Sequence, residues 1–176
     1  MIRKKKLYAR PKKLYVRARI DEENALMKKY ALKNKREIWK VSANVNYYRS
    51  RAKELAKHSV EEQKILFSKL NSIGIKVDSI ADVLALKIES FLERRLPSVI
   101  ARKGLLKTPQ QARQMVVHKN VMIDGKIVNT PSYIVRVSDE DMISLKLKPK
   151  KVKAKPESQN AAPVEVAPAA GEPNNG

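Results

Sequence analysis

The chain has no cysteine, five glycines, two phenylalanines and one tryptophan among 176 residues, and no long apolar run. Without cysteine there can be no disulfide framework, thiolate nucleophile or cysteine-based zinc site. The two histidines, His58 and His118, stand sixty residues apart and do not suggest a metal cage. The scattered glycines leave no Gly-rich loop to cradle a cofactor phosphate. Neither histidine has an acidic orienter in its sequence context, so no catalytic triad can be nominated. No stretch approaches the ~20 apolar residues of a spanning helix, and the N-terminus opens on charges rather than a signal-peptide core. The expectation is a soluble, cytoplasmic protein that is not an enzyme and has no metal, cofactor, membrane or small-molecule substrate.

What the chain has in excess is positive charge: 38 Lys and Arg against 18 Asp and Glu, a net of +20. Such an excess repels itself unless a polyanion neutralises it, which points to nucleic acid. The charge is uneven. It is +14 over residues 1–57, −1 over 58–91, +6 over 92–148 and +1 over 149–176. Two basic stretches thus flank a near-neutral segment that reads as packing core.

The first nineteen residues carry nine cations and no acid. Self-repulsion and Pro11 argue against a stable isolated helix there. Interleaved Leu7, Tyr8, Leu14, Tyr15 and Val16 favour an arm that folds along phosphates over a mere solubiliser. Its candidate contacts are Arg3, Lys4, Lys5, Lys6, Tyr8, Arg10, Lys12, Lys13 and Arg17.

Asn34 with Glu37 reads as a capping box opening a helix to about Lys57. Ile38, Val41, Val45, Tyr48, Ala52 and Leu55 form its apolar stripe. Trp39 lies off that stripe and either packs against another element or touches nucleotides, with packing favoured because Trp is usually mostly buried. Arg36, Lys40, Tyr47, Arg49 and Arg51 are candidate RNA contacts, Tyr47 with Arg51 being open between the two readings. Ser59 with Glu62 and Ser79 with Asp82 suggest two further capped helices, with Gly74 as a stop between them. His58, at a helix junction, reads as structural.

From residue 92 the pattern changes. A helix begins near Arg95, where Pro97 fits its first turn, and ends by Gly104. Thr108-Pro109-Gln110-Gln111 is a strong second start, and Asn120 a left-handed stop. Period-two residues follow: a hairpin with Asp124-Gly125 as a type I′ turn, then strands through Tyr133–Val137 and Met142–Leu147. The start of the Thr108 helix reads as a phosphate site made of backbone N–H groups, Lys107, Gln110, Gln111 and Arg113. Arg95, Arg102 and Lys103 are placed on the same side, and His118 and Lys119 extend the basic edge.

The order Arg95-Leu96, Arg102-Lys103-Gly104, Thr108, Ala112-Arg113-Gln114, His118-Lys119, Gly125-Lys126 and Ser132-Tyr133 resembles the S4 RNA-binding domain. Upstream, the run from Lys29 to Trp39 resembles the archaeal and eukaryotic branch of the small-subunit ribosomal protein S4 family. With the basic arm, the likeness covers most of residues 3–145. Ser132 and Tyr133 join the candidate RNA contacts on this ground. Where the family usually has Asp after Arg-Leu this chain has Pro97, and the cysteine zinc knot of some bacterial relatives is excluded.

The resemblance implies a structural constituent of the small subunit that binds small-subunit ribosomal RNA and nucleates its 5′ domain. It further implies neighbours: ribosomal protein S5, and messenger RNA where it enters the subunit, with a contribution to translational accuracy. The expected fold class is α+β. A basic arm over 1–19 and a helical RNA-binding unit over 20–91 precede an S4-like domain over 92–148, with two short helices on a small antiparallel sheet. A basic, then Pro/Ala-rich disordered tail fills 149–176. Two alternatives remain: an RNA-modifying enzyme built on the same module, disfavoured by the missing catalytic features, and a free-standing S4-domain chaperone or ribosome-associated factor.

Overall fold

The computed structural model describes residues 8–146; Arg3, Lys4, Lys5, Lys6 and the tail over 149–176 lie outside the described residues. Eight helices and three strands follow in order: α1 (Arg17–Lys29), α2 (Lys35–Leu55), α3 (Val60–Ser72), α4 (Ile80–Ala85), α5 (Ile88–Glu93), α6 (Leu96–Arg102), α7 (Pro109–Val117), β1 (Val121–Ile123), β2 (Lys126–Ile127), α8 (Val137–Glu140) and β3 (Ile143–Leu145). The α+β class is the observed one.

Helix α2 organises the first half. Ile38, Val41, Val45, Ala52 and Leu55 are buried at steps of three, four and seven, the single stripe expected of a helix packed on one face. Leu66 and Leu70 of α3, Val83 of α4, and Phe91 and Leu92 of α5 close over that stripe. Leu92 therefore belongs to this cluster and not to the one that follows it. Tyr48 completes the stripe, stacking on Phe91 with ring centroids 5.5 Å apart.

The second cluster gathers Leu96, Val99 and Ile100 of α6, Ala112 and Val116 of α7, Val121 and Ile123 of β1, Val135, and Ile143 of β3. Its sheet has strand order β2-β1-β3, both pairings antiparallel. Asp124 and Gly125 both take positive φ, 49° and 71°, as a type I′ turn requires.

Four sequence expectations are corrected. Residues 133–137 add no strand to the sheet. Ile134 makes one bridge with Arg95, the Val135 N–H donates to the Arg94 carbonyl, and the chain then turns into α8. Asp139 and Glu140 suit the first turn of a helix, where N–H groups are unpaired. Second, α1 begins inside the stretch read as non-helical, because Asp21, Glu22 and Glu23 follow at once and offset its charge; Arg19 Nε lies 3.5 Å from Glu23. Third, the left-handed stop of α7 is Lys119, φ 59°, one residue before Asn120. The Lys119 N–H reaches the Val116 carbonyl and the Asn120 N–H the Met115 carbonyl, the paired bonds of a Schellman ending.

The fourth correction concerns caps. Only Ser79 and Asp82 form the reciprocal box, and there the Ser79 hydroxyl and the N–H groups of Asp78 and Ser79 hold the Asp82 carboxyl below its ordinary range. Asn34 and Ser59 cap with their backbones alone. Glu62 turns instead to His58, whose Nδ1 is 3.3 Å away.

Glu37 has a larger task. Its Oε2 accepts from Arg95 Nη1 at 2.7 Å and from Arg113 Nη1 at 3.1 Å, and its Oε1 from Arg113 Nη2 at 2.7 Å. Arg113 also donates to the Ala31 carbonyl at 3.3 Å. One carboxylate on α2 thus ties the first unit to both helices of the second. Burial pushes the Glu37 carboxyl up, but hydrogen bonds from Arg113 and Arg95, and their charge, outweigh it and leave it below its ordinary value.

Because the folded Glu37 binds its proton less readily than the unfolded chain does, its contribution is complete above the ordinary carboxylate value of 4.5 and is lost as pH falls through the lower folded value. Urea midpoints measured down the acid range should fall for the native chain and fall less steeply for Glu37→Gln. Glu37→Ala, which leaves two guanidinium groups facing each other largely out of water, should cost about 3 kcal/mol.

Gly74 offers a second test. Its φ is +86°, and a Cβ there would lie 2.6 Å from Cζ of the buried Arg94. Gly104 also has positive φ, +73°, with nothing within 4 Å of its would-be Cβ. Gly104→Ala should therefore cost about 1 kcal/mol, the left-handed penalty alone, and Gly74→Ala distinctly more in the same denaturation assay.

Candidate nucleic-acid interface

The predicted RNA contacts separate into cations spent inside the fold and cations left to solvent. The first group holds Arg49, Arg95, Arg102 and Arg113, with Lys103. Arg95, with a side chain 7% exposed, is committed to Glu37, and so is Arg113. Arg49 donates to the Leu86 carbonyl at 2.7 Å. Arg102 is half exposed but pairs with Glu140 at 2.5 Å, and Lys103 reaches Asp141 at 2.9 Å and the Glu140 carbonyl.

Of the residues expected on one phosphate-facing side with the start of α7, Arg95 and Arg113 are turned inward to Glu37, whereas Arg102 and Lys103 remain exposed. For Arg49, Arg95 and Arg113 the physical reason is the same. A guanidinium fork can satisfy two acceptors while largely buried, and carboxylates or carbonyls lie within its reach.

Glu140 is the counterpart of Glu37 within the second unit. Its Oε2 accepts from the buried Arg94 at 3.0 Å and its Oε1 from Arg102. Burial raises its carboxyl, and the bonds from Arg102 and Arg94 more than reverse that, so it too sits below its ordinary value. Sequence reading passed over both carboxylates. For Glu37 the available signal was scarcity, since only five acids fall within residues 1–57; Glu140, between Asp139 and Asp141, carried no such signal.

The start of α7 is a narrower anion site than its sequence implies. Thr108 caps the helix by accepting from the Gln111 N–H at 3.3 Å. Pro109 has no N–H, and the Ala112 N–H goes to the Thr108 carbonyl. Among the described residues this leaves the Gln110 N–H, with the exposed Lys107, Gln110 and Gln111 side chains around it. His118 and Lys119 are exposed at the far end of the helix. Between α1 and α7 runs a cleft of about 490 Å³ lined by Met27, Lys28, Leu32, Gln110, Val117 and His118, with Arg113 in its wall. Lys28 on this cleft was not anticipated.

The free cations of the first unit lie elsewhere. Arg10, Lys12, Lys13, Arg17, Arg36 and Lys40 are exposed, and none has an acidic partner among the described residues. Tyr47 is 62% exposed and rests its ring edge-on against Tyr48, centroids 5.5 Å apart. Arg51 makes only a loose contact with Glu54 at 3.8 Å. Tyr8 is half-buried near Trp39, with ring centroids 6.4 Å apart. Trp39 packs as expected, its Nε1–H donating to the buried Glu23 at 3.0 Å.

In the second unit, Ser132 is exposed, whereas Tyr133 packs against the core and its hydroxyl lies 3.3 Å from Asp139. Burial, then the Asp139 charge, raises that phenol's pKa. Among the described residues no group of three or more His, Asp or Glu could hold a metal, and no helix is long and apolar enough to cross a membrane.

The family model for the S4 domain matches residues 94–141, from Arg94 through α6, α7 and the sheet turn to Asp141. Over a far longer span the chain is similar to the small ribosomal subunit protein uS4 of Methanocella arvoryzae, 38% identical with 89% of this chain and 85% of that protein covered. The protein of the same name from Methanococcus aeolicus is 42% identical, covering 79% of this chain and 82% of its own. That from Hyperthermus butylicus is 37% identical over the same shares. The likeness runs through both hydrophobic clusters and the bridge between them, and on it the chain belongs to the small ribosomal subunit protein uS4 family, whose members are structural and not enzymatic.

Proposed function

We propose that the chain binds small-subunit ribosomal RNA as a two-jawed clamp, the helical unit over 20–91 and the S4 unit over 92–148 gripping a folded junction. The observation that carries this reading is the segregation of charge. Internal carboxylates neutralise the arginines of the frame, and the lysines, with Arg10, Arg17 and Arg36, are left for phosphate. Shape recognition suits RNA better than duplex DNA, since no helix presents a row of base-reading side chains to a major groove.

Within the subunit, the binding nucleates the 5′ domain. Contact with protein S5 and with messenger RNA at its point of entrance, and a contribution to translational accuracy, belong to the same proposal and rest on the family likeness. On this reading the protein resides in cytoplasmic ribosomes. Crosslinking followed by nucleotide-level readout of small-subunit RNA tests the placement. Reads concentrated at one multi-helix junction support it, and reads scattered over the whole RNA contradict it.

Lys119 gives the sharpest single-residue test. It occupies a left-handed position that glycine favours, so Lys119→Gly removes one charge without straining the backbone. Binding of a small-subunit junction RNA, measured against salt, should retain the fold and lose about 0.7 to 0.9 from the log–log slope. An unchanged slope with unchanged affinity would take Lys119 out of the interface.

A further inference from the structure

The arm and the start of α2 line another cavity, of about 450 Å³, formed by Tyr8, Arg10, Lys35, Arg36 and Trp39. Its composition is unlike the rest of the surface: two aromatic rings and three cations, with no carboxylate on the wall. The rings stand 6.4 Å apart and are tilted by 34°. At this separation, within the range of about 4.5–7 Å over which aromatic pairs interact, the two rings form a loose, tilted pair rather than a stack. A base enters between them when the arm carries Tyr8 outward until the ring planes are parallel and about twice the ~3.4 Å stacking distance apart.

The far wall is held in place. The Trp39 Nε1–H is fixed by Glu23, which is itself buried and held by Lys35 Nζ at 3.3 Å and Arg19 Nε at 3.5 Å. The near wall is lightly held. Tyr8 lies outside both hydrophobic clusters, with Lys40 Nζ 6.0 Å above its ring. Arg10 and Arg36 are exposed and have no acidic partner among the described residues. A rigid aromatic floor, a movable aromatic cover and two unpaired guanidiniums at the rim make a receptor for one unstacked nucleotide: base between the rings, phosphate on the arginines.

We infer that Tyr8 and Trp39 form a base-stacking pocket for an unpaired nucleotide of RNA, with Arg10 and Arg36 holding its phosphate. This deepens the proposed RNA-clamp reading and rests on it. The pocket accepts bases by their faces, so it discriminates unpaired from paired RNA more strongly than one base from another.

Trp39 is the only tryptophan in the chain, which makes its emission a direct reporter. The full chain should be titrated with a short oligouridylate, with an abasic phosphate chain of the same length, and with a small-subunit junction RNA. Quenching of Trp39 by the oligouridylate and not by the abasic chain is expected. Tyr8→Ala should weaken oligouridylate binding about tenfold, within the range that removing one stacking partner costs, and Tyr8→Phe should preserve it.

Equal affinity for the abasic chain, or Trp39 emission indifferent to bound oligouridylate, would overturn the pocket. Salt-dependent binding of the junction RNA in that case would leave the clamp standing. Failure of the native chain to bind any of the three RNAs would sink both. Circular dichroism of Tyr8→Ala, expected to match the native chain, separates a lost contact from a lost fold.

Discussion

The rest of the molecule depends on how the Glu37 carboxylate is shared between Arg95 and Arg113. The two hydrophobic clusters do not merge. Apolar burial can stabilise each cluster, but it says little about the angle between them, because hydrophobic contact has no direction. A carboxylate taking three hydrogen bonds from two guanidinium forks does have direction. It sets α2 against the N-cap of α6 and against α7 at once, and the Arg113 bond to the Ala31 carbonyl adds the end of α1. Replacing this with apolar side chains could preserve stability and yet leave the two units free to hinge. A clamp needs the fixed angle, since a rigid RNA junction rewards a protein that is already in shape.

Much of the fold was legible in the sequence. The stripe on α2, the Thr108-Pro109 helix start, the Gly74 stop and the Asp124-Gly125 turn follow from local rules, and they appear where those rules put them. Where local rules failed, a long-range partner had taken the residue. Glu37 looks like the third residue of a capping box, but it takes the N–H of Lys33 rather than that of Asn34, and two arginines some sixty and seventy-five residues away supply its closest bonds. The stretch from Tyr133 to Val137 alternates like a strand, yet its own backbone groups pair with the chain from Arg94 to Leu96 instead of with the sheet. Sequence spacing carries no information about either event.

The candidate site was legible in kind and misassigned in detail. Counting cations located the basic stretches correctly, but a count cannot distinguish a charge facing solvent from a charge facing a carboxylate. The arginines of the second unit were the natural choice for phosphate contacts, yet Arg95 and Arg113 turn inward to Glu37, while Arg102 stays half exposed beside Glu140. Trp39 shows the opposite limit. Packing against Glu23 is its structural role, and the same packing, by fixing the indole, makes one wall of the pocket opposite Tyr8.

The division of labour between the two basic side chains has a physical origin. Arginine is weakly hydrated and forks to two acceptors, so it tolerates burial beside a carboxylate; lysine is strongly hydrated and prefers solvent or a solvated phosphate. The chain carries few acids, and it places Glu37, Glu140 and Glu23 where each neutralises at least two cations. Those three carboxylates relieve the repulsion that would otherwise open the frame, and the remaining excess is displaced to the surface. The interface and the core are therefore products of one constraint. A chain of net +20 folds here with three carboxylates set among the cations of its frame, and the excess left outside is already prepared for a polyanion.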